Sequence, residues 1–388
     1  MDANGGGLIM AWITGVGLTA YGKHEGKSTL DLMADAAQVA LDDAGLERAQ
    51  IDGLLCGYSG TLPHLMLADL FAEQFGLSPH YAHGLQMGGA TGLALVMLAA
   101  NLIRAGAARH VLVVAGENRL SGQSRDSSIQ MLAQVGHPRY EVPLGPIVPA
   151  YYALLASRYL HLHRRPEADL AELAVLMRRN AAGHPGAHLR TPVTVEDVML
   201  SRPIATPLKM LDCCPISDGG AALVVSAAPG PAGAIRITGM GQAHQHQHVS
   251  SANSLDRFGA AESAARAMDE AGITVKNIGY AAIYDSFTIT LALLLEEVGL
   301  SAPGEAGRDA RNGRYAPDGA VPLNTHGGLL SYGHCGVAGA MAHVVEARQQ
   351  MLGRAGIRQI PSEPALALVH ADGGVLSAHV SMILERAA

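Results

Sequence analysis

The chain has 388 residues, of which 49% are hydrophobic and 16% charged, with a net charge of -7 and a pI of about 6.2. That is enough apolar material for more than one folding unit, and the acidic balance gives nucleic acid no electrostatic footprint. Four cysteines, Cys56, Cys213, Cys214 and Cys335, are too few and too irregular for a disulfide framework or a CxxC zinc site; no apolar run approaches the roughly 20 residues of a membrane span.

The first residues are acidic and glycine-rich rather than basic, so no signal peptide is expected, and a reduced cytoplasmic setting is the default. Ile13-Thr-Gly-Val-Gly17 reads as a strand end. Gly15-Val-Gly17-Leu-Thr-Ala20 matches a dinucleotide fingerprint in letters, but the apolar stretch before it is short and Lys23–Ser28 separates it from the next helix, so it lacks the required context. Ala40-Leu-Asp-Asp-Ala-Gly-Leu46 ends a helix on its glycine, and Ile51–Gly57 is a strand. The loop Gly84–Gly92 leads into a helix over Leu93–Arg104 and then a strand over His110–Ala115.

From about Leu120 to Leu211 the pattern changes, with helices expected over Ala150–Leu162 and Ala168–Ala181 and a Pro- and His-containing stretch at His184–Pro192. Insertions of this length usually build pockets or covers. A turn and a buried strand follow through Val225, and Ala227–Ala234 reads as a linker.

Then the first pattern returns. Ile237-Thr-Gly-Met-Gly241 repeats Ile13–Gly17, and Ala267-Met-Asp-Glu-Ala-Gly-Ile273 repeats Ala40–Leu46 ahead of a strand at Ile278–Tyr284. The repeat divides the chain into a first half, 1–228, which holds the insertion at about 120–211, and a second half, 232–388. His244, His246 and His248 alternate, but no carboxylate or cysteine supports a metal site, and a pocket-rim loop is the plainer reading. The stretch Asn324–Gly339 carries Asn324, His326, Tyr332, His334 and Cys335 into a helix over Val337–Leu352, whose apolar residues follow a 3.6 period. The matched loops place two helix N-termini across a pseudo-twofold axis, where unpaired N–H groups favour an oxyanion or a phosphate. A strand at Ala365–Val369 follows.

The two-half repeat, the Asn324–His334 run, Tyr284-Asp-Ser-Phe287, Cys214–Gly220 and His370-Ala-Asp-Gly-Gly374 together resemble the thiolase superfamily, in its sterol-carrier and lipid-transfer-protein branch. The resemblance implies an α/β fold of two duplicated mixed-sheet halves in a layered arrangement, with an inserted loop domain. It implies a coenzyme A thioester as substrate, no tightly bound cofactor and no metal, a homodimer, and, as in related aldolases, a small OB-fold and zinc-ribbon protein partner.

Thiolases carry a nucleophilic Cys where this chain has Gly89, and their second, acid/base Cys matches His370. The resemblance assigns His334 to donation toward the thioester oxygen; Gly88 and Gly89, where glycine permits close approach, are expected to offer backbone N–H groups as a further oxyanion site, and Asn324 and Gly374 are grouped with them in thioester binding. Tyr284 stands where thiolases carry Asn or His, as in steroid side-chain aldolases, which have a second Tyr where this chain has His334. Without the nucleophile, retro-aldol cleavage of a 3-hydroxyacyl-CoA is the leading expectation, with Tyr284 and His334 at the centre. The alternatives are an acetyltransferase using Cys335 or Cys56, and a non-catalytic lipid-transfer or acyl-CoA-binding subunit. Each residue has a plainer reading too: Tyr284 and Cys335 as core, His334 as a ring bonded to a loop carbonyl.

Overall fold

The computed structural model describes residues 10–387 apart from Ala232 and Ala234. The first half runs β1 (Trp12–Leu18), α1 (Thr29–Ala44), β2 (Gly53–Gly57), α2 (Leu67–Phe75), β3 (Tyr81–Leu85), α3 (Thr91–Arg104) and β4 (His110–Asn118). Ser28 opens α1 with a capping box to Asp31, and Gly45 closes it in the left-handed conformation that glycine adopts at least cost. The inserted segment folds as α4 (Arg125–Ala133), α5 (Val148–His163), α6 (Glu167–Ala182), α7 (Val195–Leu200) and the hairpin β5 (Pro203–Ala205) with β6 (Leu208–Lys209), before β7 (Asp218–Ser226) re-enters the sheet. The second half follows as β8 (Ile235–His244), α8 (Ala260–Ala271), β9 (Tyr280–Ile283), α9 (Thr288–Glu297), α10 (Ala306–Arg311), α11 (Gly328–Ser331), α12 (Val337–Met351), β10 (Leu366–Gly373) and β11 (Ala378–Arg386).

The strands hydrogen-bond in the order β3-β2-β4-β7-β1-β8-β11-β10-β9. Read inward from either end, β2-β4-β7-β1 mirrors β9-β10-β11-β8, and β3 is an extra edge on the first half. The halves meet where β1 pairs antiparallel with β8, Trp12 opposite Arg236 and Ile13 opposite Ile235. Between β4 and β7 stands the insertion, whereas β10 and β11 are joined by a short turn.

Side chains sort by the period of two along each strand. Leu54, Cys56, Leu112, Val114, Ala222 and Val224 pack with α1 and α2 on the outer face. Leu55, Val111, Val113, Ala221, Leu223 and Val225 face the interior, where α3 and α12 lie against strands of both halves. With α8 covering β8 and β11, the order is helix, sheet, helix, sheet, helix.

The repeated Gly-x-Gly has a packing cause. A Cβ on Gly15 or Gly17 would lie 2.1 Å from a carbonyl oxygen of α1, and one on Gly239 or Gly241 1.9 Å from a carbonyl oxygen of α8. These glycines let each half press its helix onto its central strand; they cradle no phosphate. The same device brings α3 onto α12, since a Cβ on Gly92 would stand 2.7 Å from Met341 Cγ.

Helix α12 departs from its sequence pattern. An apolar period buries one face, but here every residue of the helix except Gln349 is buried. Its polar side chains instead find fixed partners: Arg348 meets Asp43 at 2.6 Å and the carbonyls of Ile13 and Thr14, and Glu346 meets Arg358 at 2.9 Å. Buried charges persist only when paired in this way.

Candidate active site

From Val321 to Arg348 every residue is buried except His334, and from Ala367 to Leu384 every residue is buried except Gly374. Two long interior stretches, one leading into α12 and the other spanning β10 and β11, thus each open toward solvent at a single residue. Met87, Gly88 and Gly89, ahead of α3, are partly open as well. The three openings adjoin: a Cβ on Gly88 would lie 2.8 Å from Gly374 N, and one on Gly89 would lie 2.2 Å from Tyr284 Oη and 2.6 Å from the Asp372 carbonyl oxygen.

Tyr284 Oη is 3.0 Å from His334 Nε2. On its other nitrogen, Nδ1, the ring accepts the Gly336 N–H at 3.2 Å. Nε2 therefore carries the proton and donates to the tyrosine oxygen, leaving the Tyr284 O–H free to donate onward. Although His334 is not fully buried as a residue, the dense packing around its ring and the nearby Arg119 guanidinium push its pKa down to about 3. The imidazole is accordingly neutral and a donor at ordinary pH. Burial first, then the Asp372 carboxyl, hold the Tyr284 pKa well above the usual phenol value, so it too stays protonated.

The main chain fixes these groups in place. His334 N donates to Pro215 O at 3.1 Å and Ser217 N donates to His334 O at 3.1 Å, so the Cys214–Gly220 segment clamps the histidine. Tyr284 N donates to His370 O at 3.0 Å, anchoring the tyrosine to β10. Asp285 accepts the N–H groups of Leu329 and Leu330 at 2.7 and 3.3 Å and ties the loop after β9 to α11.

Not every residue singled out in the sequence joins this cluster. Asn324 uses its side chain on the backbone of β9, accepting from Ile283 N at 2.8 Å and donating to Ile283 O at 2.7 Å. Both of its side-chain polar atoms are engaged with β9, so it positions the loop. His370 bonds Ser381 Oγ at 2.8 Å and His379 Nδ1 at 3.3 Å, and is fully buried. Cys335 is also buried, and burial pushes its thiol pKa up, as it does for Cys56. A reactive thiolate needs the opposite shift. Gly89 does not leave an open pocket: the Tyr284 hydroxyl stands where a side chain at Gly89 would project. His246 Nε2 lies 3.1 Å from Val375 O and His244 Nε2 2.6 Å from Gln242, and among the described residues no three metal-binding side chains converge.

Two features escaped the sequence reading. Asp372, two residues beyond His370, is 1% exposed, and its Oδ1 has no partner among the described residues. Burial raises its pKa to about 7. Tyr152 of α5, stacked on Phe287 with ring centroids 4.3 Å apart, donates to Gly374 O at 3.0 Å and brings the inserted segment to the site. An acid on alternate positions of a buried strand was the available signal for Asp372; nothing local marked Tyr152. Behind Tyr284, His343 and His326 lie with ring centroids 5.0 Å apart and no hydrogen-bond partner among the described residues, His343 Nε2 standing 3.5 Å from Asp285 Oδ1.

Comparison with known proteins adds the following. The family described as "Thiolase, N-terminal domain" matches residues 8–228, and "Thiolase C-terminal domain-like" matches 241–386. The "Steroid side-chain-cleaving aldolase" of Thermomonospora curvata is 32% identical over 85% of this chain and 89% of its own length. The "Acetyl-CoA acetyltransferase" of Methanothermobacter thermautotrophicus is 29% identical over 93% of this chain and 96% of its own. Among solved structures, an "Ltp2-ChsH2(DUF35) aldolase" chain superimposes with a TM-score of 0.85 at 30% identity, covering 97% of this chain and 98% of that one.

Proposed function

We propose, from the premise that this chain belongs to the thiolase family, that it is an acyl-CoA enzyme cleaving the carbon–carbon bond beta to the thioester of a 3-hydroxyacyl-CoA by retro-aldol chemistry, without a cysteine nucleophile. One observation carries the reading: the nucleophile's place is filled by the hydroxyl of Tyr284, itself held by His334. Covalent acyl transfer has no group to start it, whereas stabilising an enolate needs only donors.

Cleavage removes the proton of the 3-hydroxyl, breaks the Cα–Cβ bond to release a ketone or aldehyde, and leaves an enolate on the thioester oxygen. The Tyr284 O–H, backed by the His334 N–H, donates to that oxygen. Further donors are proposed in the backbone amides at Gly88, Gly89 and Gly374, where glycine permits close approach. Asn324 and His370 act by holding strands β9 and β10 in place. A bulky acyl group, such as a sterol side chain, is the proposed substrate class, by likeness to the aldolase relative.

The purified chain, given a 3-hydroxyacyl-CoA, should release a shortened acyl-CoA and a carbonyl product, and His334→Ala should slow that by at least about tenfold, 1.4 kcal/mol of transition-state energy. Wild-type speed in the variant would remove His334 from the site. Intact mass after incubation should show no acyl adduct on any cysteine; an adduct on Cys335 or Cys56 would favour the acyltransferase.

A homodimer is proposed through β3, which ends the sheet with an unpaired edge and only partly covered side chains, the kind of edge that proteins seldom leave bare. Sedimentation should give twice the chain mass; a monomer at micromolar concentration would refute it. No helix among the described residues is long and apolar enough to cross a membrane. Coenzyme A enters as part of the substrate. A small OB-fold and zinc-ribbon partner is proposed by likeness to the two-component aldolase, and a cytoplasmic location by the free cysteines.

A further inference from the structure

We infer that Asp372 is the group that takes the proton from the substrate's 3-hydroxyl and returns it to the α-carbon of the enolate. The inference rests on the retro-aldol reading above and deepens it by naming the proton carrier.

Asp372, near the end of β10 and shut off from solvent, receives the Leu376 N–H on Oδ2 at 3.3 Å and has the Tyr152 hydroxyl close enough to act on its ionisation, while Oδ1 has no hydrogen-bond partner among the described residues. A buried carboxyl oxygen without a partner is costly, and in native proteins it calls for an explanation. Structure offers none here: Asp372 pairs with no cation and ties down no loop beyond that one long contact. Its surroundings are those of the proposed site. Tyr284 from just after β9 and Tyr152 from α5 stand close enough to alter its ionisation or be altered by it, His379 is its opposite number on β11, and Gly89 packs on its carbonyl.

The second step is elimination. His334 is a neutral donor and takes up a proton only near pH 3. The phenols of Tyr284 and Tyr152 and the thiol of Cys214 are raised by burial, so none is ionised to act as a base. His370 and His379 spend their ring nitrogens on Ser381, on the Leu376 carbonyl and on each other. Asp372, poised at about 7, is the one group of this set able to exchange a proton near neutrality.

The step balances. The carboxylate accepts the hydroxyl proton, the O–H electron pair forms the new C=O, and the Cα–Cβ pair passes to the thioester as an enolate. The enolate pair then forms a Cα–H bond with the proton on Asp372, which returns to carboxylate. No oxidant, metal or second base is consumed.

The test uses the half-reaction that needs no carbonyl partner. A saturated acyl-CoA is incubated with wild-type protein in deuterium oxide, and α-deuteration is followed by mass spectrometry, beside cleavage of a 3-hydroxyacyl-CoA. Exchange should rise with pH to a plateau, with a midpoint near 7, because the carboxylate is the form that removes the α-proton. Asp372→Asn should lower exchange and cleavage by about 10²–10⁴-fold. Its melting temperature should equal or exceed that of wild type, since the amide keeps the shape and avoids a buried unpaired charge. Exchange by Asp372→Asn within a few-fold of wild type with the same midpoint overturns the assignment. So does a large fall in melting temperature accompanied by unchanged turnover per folded molecule. Wild-type protein that neither exchanges nor cleaves sinks the retro-aldol reading itself, a result distinct from cleavage that ignores the Asp372 substitution.

Discussion

Tyr284→Phe is expected to lower kcat for cleavage by about 10²–10³-fold, the usual effect of deleting one donor to a developing oxyanion, with KM little changed. The hydroxyl is the forward member of a donor pair: His334 Nε2–H points at its oxygen, so its own proton is free for the substrate. Phenylalanine keeps the ring and its packing between β9 and the Gly89 backbone. The loss on folding should therefore be limited to one hydrogen bond, about 1 kcal/mol. A tyrosine that merely filled the core would give the reverse, with stability falling and turnover per folded molecule unchanged. The comparison of kcat with melting temperature thus separates the two readings. No alkaline limb from Tyr284 should appear in the rate profile near neutrality, since burial holds its pKa above the ordinary phenol value.

What the sequence revealed and what it hid have physical causes. The repeat was legible because each half solves the same packing problem with the same residues: glycines at 15, 17, 239 and 241 admit a helix backbone that a Cβ would strike. The helix after Asn324–Gly339 was legible from its apolar period, but its buried polar face was not, because the partners of Arg348 and Glu346 lie hundreds of residues away or across a loop. His334 and Gly374, both chosen from motifs, proved to be the open points of two closed stretches. His370 and Asn324 sit in the same motifs, yet their hydrogen bonds go to strands. Motif membership reports that a residue is needed there; only geometry separates a group that faces substrate from one that holds such a group. Asp372 was missed for a related reason: its character comes from what surrounds it, and burial beside Tyr152 and Tyr284 cannot be read from His-Ala-Asp-Gly-Gly.

The absence of a cysteine at position 89 looks in the sequence like a simple loss, but the structure makes it a requirement. Gly89 lies outside the left-handed region, so alanine suits its backbone; the obstacle is space, with Tyr284 Oη at 2.2 Å and Tyr284 Cζ and the Asp372 carbonyl oxygen each at 2.6 Å from the new Cβ. Something must move. Gly89→Ala is expected to cost about 1–3 kcal/mol, the range for overpacking a filled interior, and to displace the Tyr284 hydroxyl enough to reduce cleavage as severely as removing it. Gly89→Cys should do the same and gain no acyl-transfer activity, because its sulfur would meet the phenol instead of a thioester. If the two positions are one device, the damage should be non-additive. Tyr284→Asn removes the phenol's share of the clash and leaves the Asp372 carbonyl oxygen at 2.6 Å, so Gly89→Ala added to it should still cost stability but less than Gly89→Ala alone, with a coupling of about 1 kcal/mol in a denaturation cycle. Strict additivity would mean that the Asp372 carbonyl, and not the phenol, sets the cost of a side chain at position 89. A coupled result would make the change from nucleophile to tyrosine an exchange of two residues, in which neither works beside the other's older partner.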